Sequence, residues 1–108
     1  MRSCEVYVHG LKAGILTERN RNLYEFEYDK EYLKGENPQA VSLTLPLTSE
    51  IYRSPYLFPT FSNMLSEGEN RNIQSILLHI DPDDDFGFLL NTCEYDTIGA
   101  VTIKKIND

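Results

Sequence analysis

Apolar and polar side chains alternate along the first part of the chain with the two-residue period of a half-buried β-strand. Three runs share this pattern, residues 3–9, 13–18 and 24–28, and short polar turns separate them. Strands joined in this way predict an antiparallel meander. The side chains that share one face of their strand are Cys4, Val6 and Val8; Ala13, Ile15 and Thr17; and Tyr24, Phe26 and Tyr28.

The middle of the chain is less regular. Residues 29–34 fit one helical turn, which Gly35 ends. Residues 41–45 alternate again and predict a fourth strand, which Pro46 either ends or confines to a sheet edge. With three prolines, residues 46–60 are expected to be irregular.

From residue 59 the apolar period changes to that of a helix. Pro59 suits a first helical position, and Phe61, Met64 and Leu65 follow at helical spacing. The strongest helix pattern in the chain is formed by Ile73, Ile76, Leu77 and Ile80.

A third helix is predicted with Asp81 as its N-cap and Pro82 next, and Phe86, Leu89 and Leu90 supply its apolar face. Residues 98–103 are rich in β-branched side chains and predict a closing strand. The order of strands, helices and a last strand predicts an α+β fold. We expect residues 1–108 to form one domain with about five antiparallel or mixed strands and two to three helices.

Composition agrees with one core: 41% of the 108 residues are apolar. The start of the chain lacks the apolar segment of a signal peptide, and Cys4 and Cys93 suit a reducing compartment as small buried thiols. We therefore expect a cytoplasmic protein. The net charge of −7 disfavours direct contact with nucleic acid.

Candidate chemistry is sparse. The acidic run 81–85 fails as a calcium loop, because Phe86 stands where glycine is needed and Thr92 where glutamate is needed. His9 and His79 have no metal-ligand spacing to either cysteine, and no phosphate-binding glycine loop occurs. We predict no catalytic residue, no metal and no cofactor.

Three segments in order resemble the N-terminal subdomain of HipA-type serine/threonine kinase toxins. They are residues 41–47 (VSLTLPL), 61–68 (FSNMLSEG) and 96–101 (DTIGAV), and they follow a hairpin that ends in Gly14, Ile15 and Leu16. The resemblance implies a small, partly barrel-like sheet plugged by helices. The ATP-binding and catalytic residues of those kinases lie downstream of this subdomain.

A free-standing copy is similar to HipS of the three-part HipBST toxin–antitoxin systems. The resemblance implies an antitoxin that binds and inhibits a HipT- or HipA-like kinase, with a HipB-like helix-turn-helix protein in a larger complex. Two other functions stay open: an activating or structural subunit of a split kinase, and a small metal-binding or hydrolytic domain.

The segment between the two helices is the expected partner contact. Its residues are Ser66, Glu67, Gly68, Glu69 and Asn70. Ser66 replaces the proline of the family motif, and Glu69 stands where some stand-alone relatives have a bulky aromatic that reaches into the kinase. Contact through the charges of Glu67 and Glu69 is the expected substitute. Tyr52, Tyr56 and Phe58 are expected to be core residues or contact aromatics.

Overall fold

A five-stranded antiparallel sheet forms one layer of the computed structural model, which describes residues 2–63, 65, 68–92 and 101–106. The strands are β1 (Arg2–Val8), β2 (Leu11–Asn20), β3 (Leu23–Tyr28), β4 (Tyr52–Ser54) and β5 (Val101–Lys105). Their order is β4-β3-β2-β1-β5, so the sheet is open and β4 and β5 form its edges. The predicted meander, the number of strands and the return of the last strand to the sheet are confirmed.

Four short helices within the described residues complete the α+β fold: α1 (Lys30–Lys34), α2 (Pro59–Ser62), α3 (Gly68–Leu78) and α4 (Asp85–Thr92). This is one more than the two to three predicted, because the turn after Asp29 also closes as a helix. The Asp29 side chain accepts the backbone N–H of Glu31 at 3.1 Å and caps α1. Pro59 opens α2 as predicted.

The core lies between the inner face of the sheet and the helices α2 and α4. The inward residues of β1 and β3 are those that the alternation predicted, and Phe26 at their centre is fully buried. Its ring lies 4.9 Å from that of Tyr28 and 5.7 Å from that of Phe61 in α2. Cys4 is buried on the same face, whereas Cys93 lies outside the described residues.

A β-bulge in β2 makes part of its predicted face wrong. Val6 of β1 pairs with Gly14 and Tyr7 with Lys12, so Ala13 is the extra residue between them. The bulge shifts the alternation by one position, and Leu16 is therefore fully buried while Ile15 is only half-buried. The alternation of apolar and polar residues in the sequence gives no indication of this extra residue.

The predicted strand at residues 41–45 is also wrong, since this segment is a turn with one isolated bridge between Ser42 and Leu45. Val41 and Leu45 point into the core and Leu43 is 99% exposed. The Tyr28 hydroxyl accepts the N–H of Val41 at 2.9 Å and donates to the carbonyl of Leu45. A side chain thus supplies the hydrogen bonds that a neighbouring strand would have given. The edge strand is instead β4, in the segment expected to be irregular.

The helix α4 begins later than predicted, and its capping residue is Asp84 rather than Asp81. Asp81 starts a separate turn, in which its carbonyl accepts the N–H of Asp84 at 2.9 Å. The Asp84 carboxylate accepts the N–H of Gly87 at 3.1 Å, which satisfies a donor in the first turn of α4. The predicted apolar residues of α4 are buried, as is Phe88.

Replacing Gly14 with alanine tests the close approach of β2 and β3. A Cβ atom at this position would collide with the backbone oxygen of Glu27, which cannot move without distorting β3. We expect Gly14→Ala to lower the free energy of unfolding by about 2 kcal/mol. In the matched variant Gly35→Ala the nearest atom is 3.3 Å away, and the loss should stay below about 1 kcal/mol. Equal losses in urea denaturation would contradict this account.

Candidate functional site

The predicted contact segment leads into the first turn of α3. Gly68 begins this helix, and Glu69 and Asn70 are exposed in its first turn. Ser66 and Glu67 lie outside the described residues. The structure therefore brings Gly68, Glu69 and Asn70 together in the first turn of α3.

Arg71 fixes α3 to the rest of the domain. Its guanidinium donates to the Asp85 carboxylate at 2.5 Å and to the Pro82 carbonyl at 2.9 Å. It also lies over the ring of Phe88, 4.3 Å from the centroid. One polar side chain on the inner side of α3 therefore ties the helix to α4 and to the turn before it.

The other end of α3 is closed by a Schellman turn. His79 adopts a left-handed conformation with φ of 55°, and the N–H of Ile80 donates to the Ser75 carbonyl at 3.0 Å. The Ser75 hydroxyl donates back to the Ile80 carbonyl. The reversal sends Ile80 into the core and ends the helix at Leu78.

The apolar residues whose spacing predicted α3 point to solvent where they lie within the helix. Ile73, Ile76 and Leu77 are 52%, 74% and 71% exposed. Only Ile80, which lies beyond the helix, is buried. The helical period was read correctly from the sequence, but the period cannot say which side of a helix meets the domain.

The three aromatics of residues 52–58 have different environments. Phe58 is buried, and Tyr52 packs against the core while its hydroxyl donates to the Pro46 carbonyl at 2.7 Å. Tyr56 is 78% exposed. Of the three, Tyr56 is the one accessible to a partner.

The acidic run 81–85 contributes to an ionic clasp between the sheet and α4. The two terminal guanidinium nitrogens of Arg2, Nη1 and Nη2, donate to the Asp84 carboxylate at 2.9 and 2.7 Å, and its Nε donates to Glu18 at 2.9 Å. The hydrogen bonds from Arg2 hold the pKa of Asp84 below its usual range. The hydroxyl of Tyr24 donates to Glu18 at 3.2 Å, and burial together with the charge of Glu18 raises the pKa of Tyr24 to about 12.

These contacts show whether the carboxylates of the acidic run are available to bind a metal ion. Asp84 is engaged by Arg2 and Asp85 by Arg71, while Asp81 accepts the N–H of Asp83 at 2.9 Å. Across residues 2–63, 65, 68–92 and 101–106, no three His, Cys, Asp or Glu side chains converge as metal ligands would. Within the same ranges, no helix has both the length and the apolarity that a membrane crossing requires.

Comparison with known proteins identifies the family. The model of the HipA N-terminal domain matches residues 4–104. The chain belongs to the HipA N-terminal domain family. It is also 32% identical over 105 residues to an uncharacterized protein of Haemophilus influenzae, and the match covers 97% of this chain and 93% of that protein. A solved structure described as the N-terminal domain of HipA toxin is 27% identical, with a TM-score of 0.72 over 99% of this chain and 94% of that one.

Membership links the chain to HipA-type toxin–antitoxin systems, and it implies interaction within such systems. The first family segment, residues 41–47, is held by Tyr28 and has an architectural explanation in this chain. The second, 61–68, contains the buried Phe61 and ends where α3 begins. Most of the third, 96–101, lies outside the described residues, and its last member, Val101, begins β5.

The Arg2 clasp predicts a specific loss of stability in acid. Because the pKa of Asp84 is lower in the folded state, its contribution is complete above the unfolded pKa of about 4 and is lost as pH falls further. We expect Arg2→Met to reduce the free energy of unfolding at pH 7 by about 1 kcal/mol, since the pair is partly exposed. The decline between about pH 4 and pH 2 should be shallower in this variant.

The matched control is Arg53→Met, which removes an exposed arginine from Glu25 and leaves Arg19 on the same carboxylate. This variant should retain most of the wild-type dependence on pH. Urea denaturation at a series of pH values measures both. An identical acid decline in wild type and Arg2→Met would show that the clasp does not govern it.

Proposed function

We propose that this chain is a HipS-like antitoxin, which binds a separately encoded HipA- or HipT-type serine/threonine kinase and inhibits it. The carrying observation is the family match over residues 4–104, combined with a bacterial relative that contains little beyond the matched region. The family therefore includes proteins without an attached kinase. A regulator of this kind must act through its surface.

The first turn of α3 supports a role in contact. Glu69 and Asn70 are exposed, and the helix that carries them is held at one end by Arg71 and at the other by the turn at His79. Exposed polar residues on a rigid scaffold favour recognition, since little conformational entropy is lost on binding. We include Ser66, Glu67 and Gly68 in the proposed contact because they directly precede this turn.

Charge suggests the nature of the partner surface. Residues 66–96 contain eight acidic residues and one basic residue, Arg71, whose guanidinium is bound within the domain. Glu69, Asp81 and Asp83 are exposed. Exposed acidic side chains favour a partner rich in lysine and arginine and disfavour direct contact with DNA. In our proposal the chain acts in the cytoplasm without chemistry of its own, and a HipB-like protein contributes any DNA binding of the larger complex.

The sign of regulation is tested by co-expression. A HipA-type kinase encoded beside this chain should arrest bacterial growth when expressed alone, and co-expression of this chain should restore growth. Purified kinase should correspondingly lose autophosphorylation as the chain is added. Growth arrest only when both proteins are present would instead identify an activating or structural subunit of a split kinase.

A charge reversal tests the contact segment. We expect Glu67→Lys/Glu69→Lys to raise the Kd for the kinase by about tenfold, because both substitutions place positive charge against a basic surface. The control is Glu27→Lys/Glu50→Lys, which makes the same change in net charge at two exposed positions outside the segment. Glu25 is unsuitable as a control because Arg19 and Arg53 bind it. Equal effects in a binding titration would refute the assignment of this segment.

A further inference from the structure

The amphipathic helix α3 packs with its polar side against the domain and exposes its apolar side to solvent. Its inner side carries Arg71, Gln74 and Ser75, all partly buried, and its outer side carries large aliphatic residues that are about half to three-quarters exposed. Isolated apolar side chains on a surface are ordinary, but neighbouring ones on a single helix face indicate a surface that binds. The domain itself uses the polar side of this helix.

The exposed residues form a ridge with the spacing of a recognition helix. Ile73, Ile76 and Leu77 stand at i, i+3 and i+4, so they line one face, whereas Leu78, seven residues after Arg71, lies on the same side of the helix as Arg71. This spacing is the one with which an amphipathic helix fills an apolar groove on another protein. The ridge is held rigidly, because Arg71 anchors the first turns of α3 and the Schellman turn at His79 closes its end.

The charges at the two ends of the ridge indicate what kind of partner can bind it. Glu69 is exposed at its start, and Asp81 and Asp83 are exposed just beyond its end. The only lysine or arginine within residues 68–83 is Arg71, whose guanidinium is bound to Asp85. An acidic rim of this kind disfavours an anionic membrane surface. It also disfavours a second copy of the chain, which would bring like charges and two net charges of −7 together.

We propose that α3 is a docking helix, which inserts Ile73, Ile76 and Leu77 into an apolar groove of a protein partner. The rim of that groove carries lysine or arginine opposite Glu69 and opposite Asp81 and Asp83. In the function proposed above, this partner is the kinase. The identity of the partner therefore rests on that proposal, whereas the outward position of the ridge does not. The acidic ends guide association and the aliphatic ridge slows dissociation.

The test variant is Ile76→Gln/Leu77→Gln. Glutamine has a helix propensity close to that of leucine, and both positions are largely exposed, so the fold should be retained. Circular dichroism and thermal melting check this, and the single variant Ile76→Gln replaces the pair if the melting temperature falls. The control is Leu11→Gln/Leu43→Gln, which removes two exposed leucines away from α3.

Binding of the purified HipA-type kinase to immobilised wild-type chain and variants gives the decisive comparison. We expect the α3 pair to raise Kd by about tenfold or more, mainly through faster dissociation, and the control pair to change it less than about threefold. Higher salt should slow association of the wild type. Binding of wild type and α3 variant with equal affinity would overturn the docking helix and leave the proposed function standing.

Two other measurements distinguish the remaining occupants. Light scattering of the purified chain should show a monomer; a dimer that the α3 pair dissociates would mean that a second copy covers the ridge, and would overturn the proposal. Pelleting with phosphatidylglycerol vesicles should recover no protein, and α3-dependent recovery would likewise overturn it. Failure of the wild type to bind the kinase would refute the proposed function itself, together with the kinase as occupant.

Discussion

The inner face of the sheet has room for one apolar covering layer, and this constraint organises the rest of the domain. Phe61 from α2 and the buried run Phe86–Leu90 of α4 occupy that layer against Phe26 and its neighbours. Close packing leaves no space there for a further row of large aliphatic side chains. The helix α3 therefore lies against α4 through a polar side chain, and Arg71 determines which side of α3 faces out.

Two polar side chains stabilise parts of the domain that lie outside the hydrogen-bonded sheet. Tyr28 extends from the sheet and bonds the turn at residues 41–45 through its hydroxyl. Arg2 extends from the first strand and bonds the capping residue of α4, Asp84. Both use side chains from the sheet to satisfy groups outside it. The acidic run that suggested metal chemistry therefore has a structural use in two of its members, Asp84 and Asp85.

The same arrangement separates the architectural parts of the family pattern from the parts available to a partner. Residues 41–47 and Phe61 are explained by packing and hydrogen bonding within the domain. Glu69, Asn70 and the aliphatic ridge of α3 take little part in that packing, and they lie on one helix. A partner that binds this helix would contact acidic and polar residues at its start and aliphatic residues in its middle. The proposed antitoxin function requires a surface with this combination of rigidity and accessibility.

The sequence by itself determined the α+β order, the strands β1 and β3 with their buried faces, the start of α2 and the presence of α3 and α4. These features follow from local periodicity and capping, which act between residues close in the chain. Only the tertiary structure decided three other features: the burial of Leu16 rather than Ile15 after the bulge, the turn rather than a strand at residues 41–45, and the outward position of the apolar face of α3. Each depends on partners distant in sequence, Val6, Tyr28 and Asp85, and periodicity carries no information about such partners.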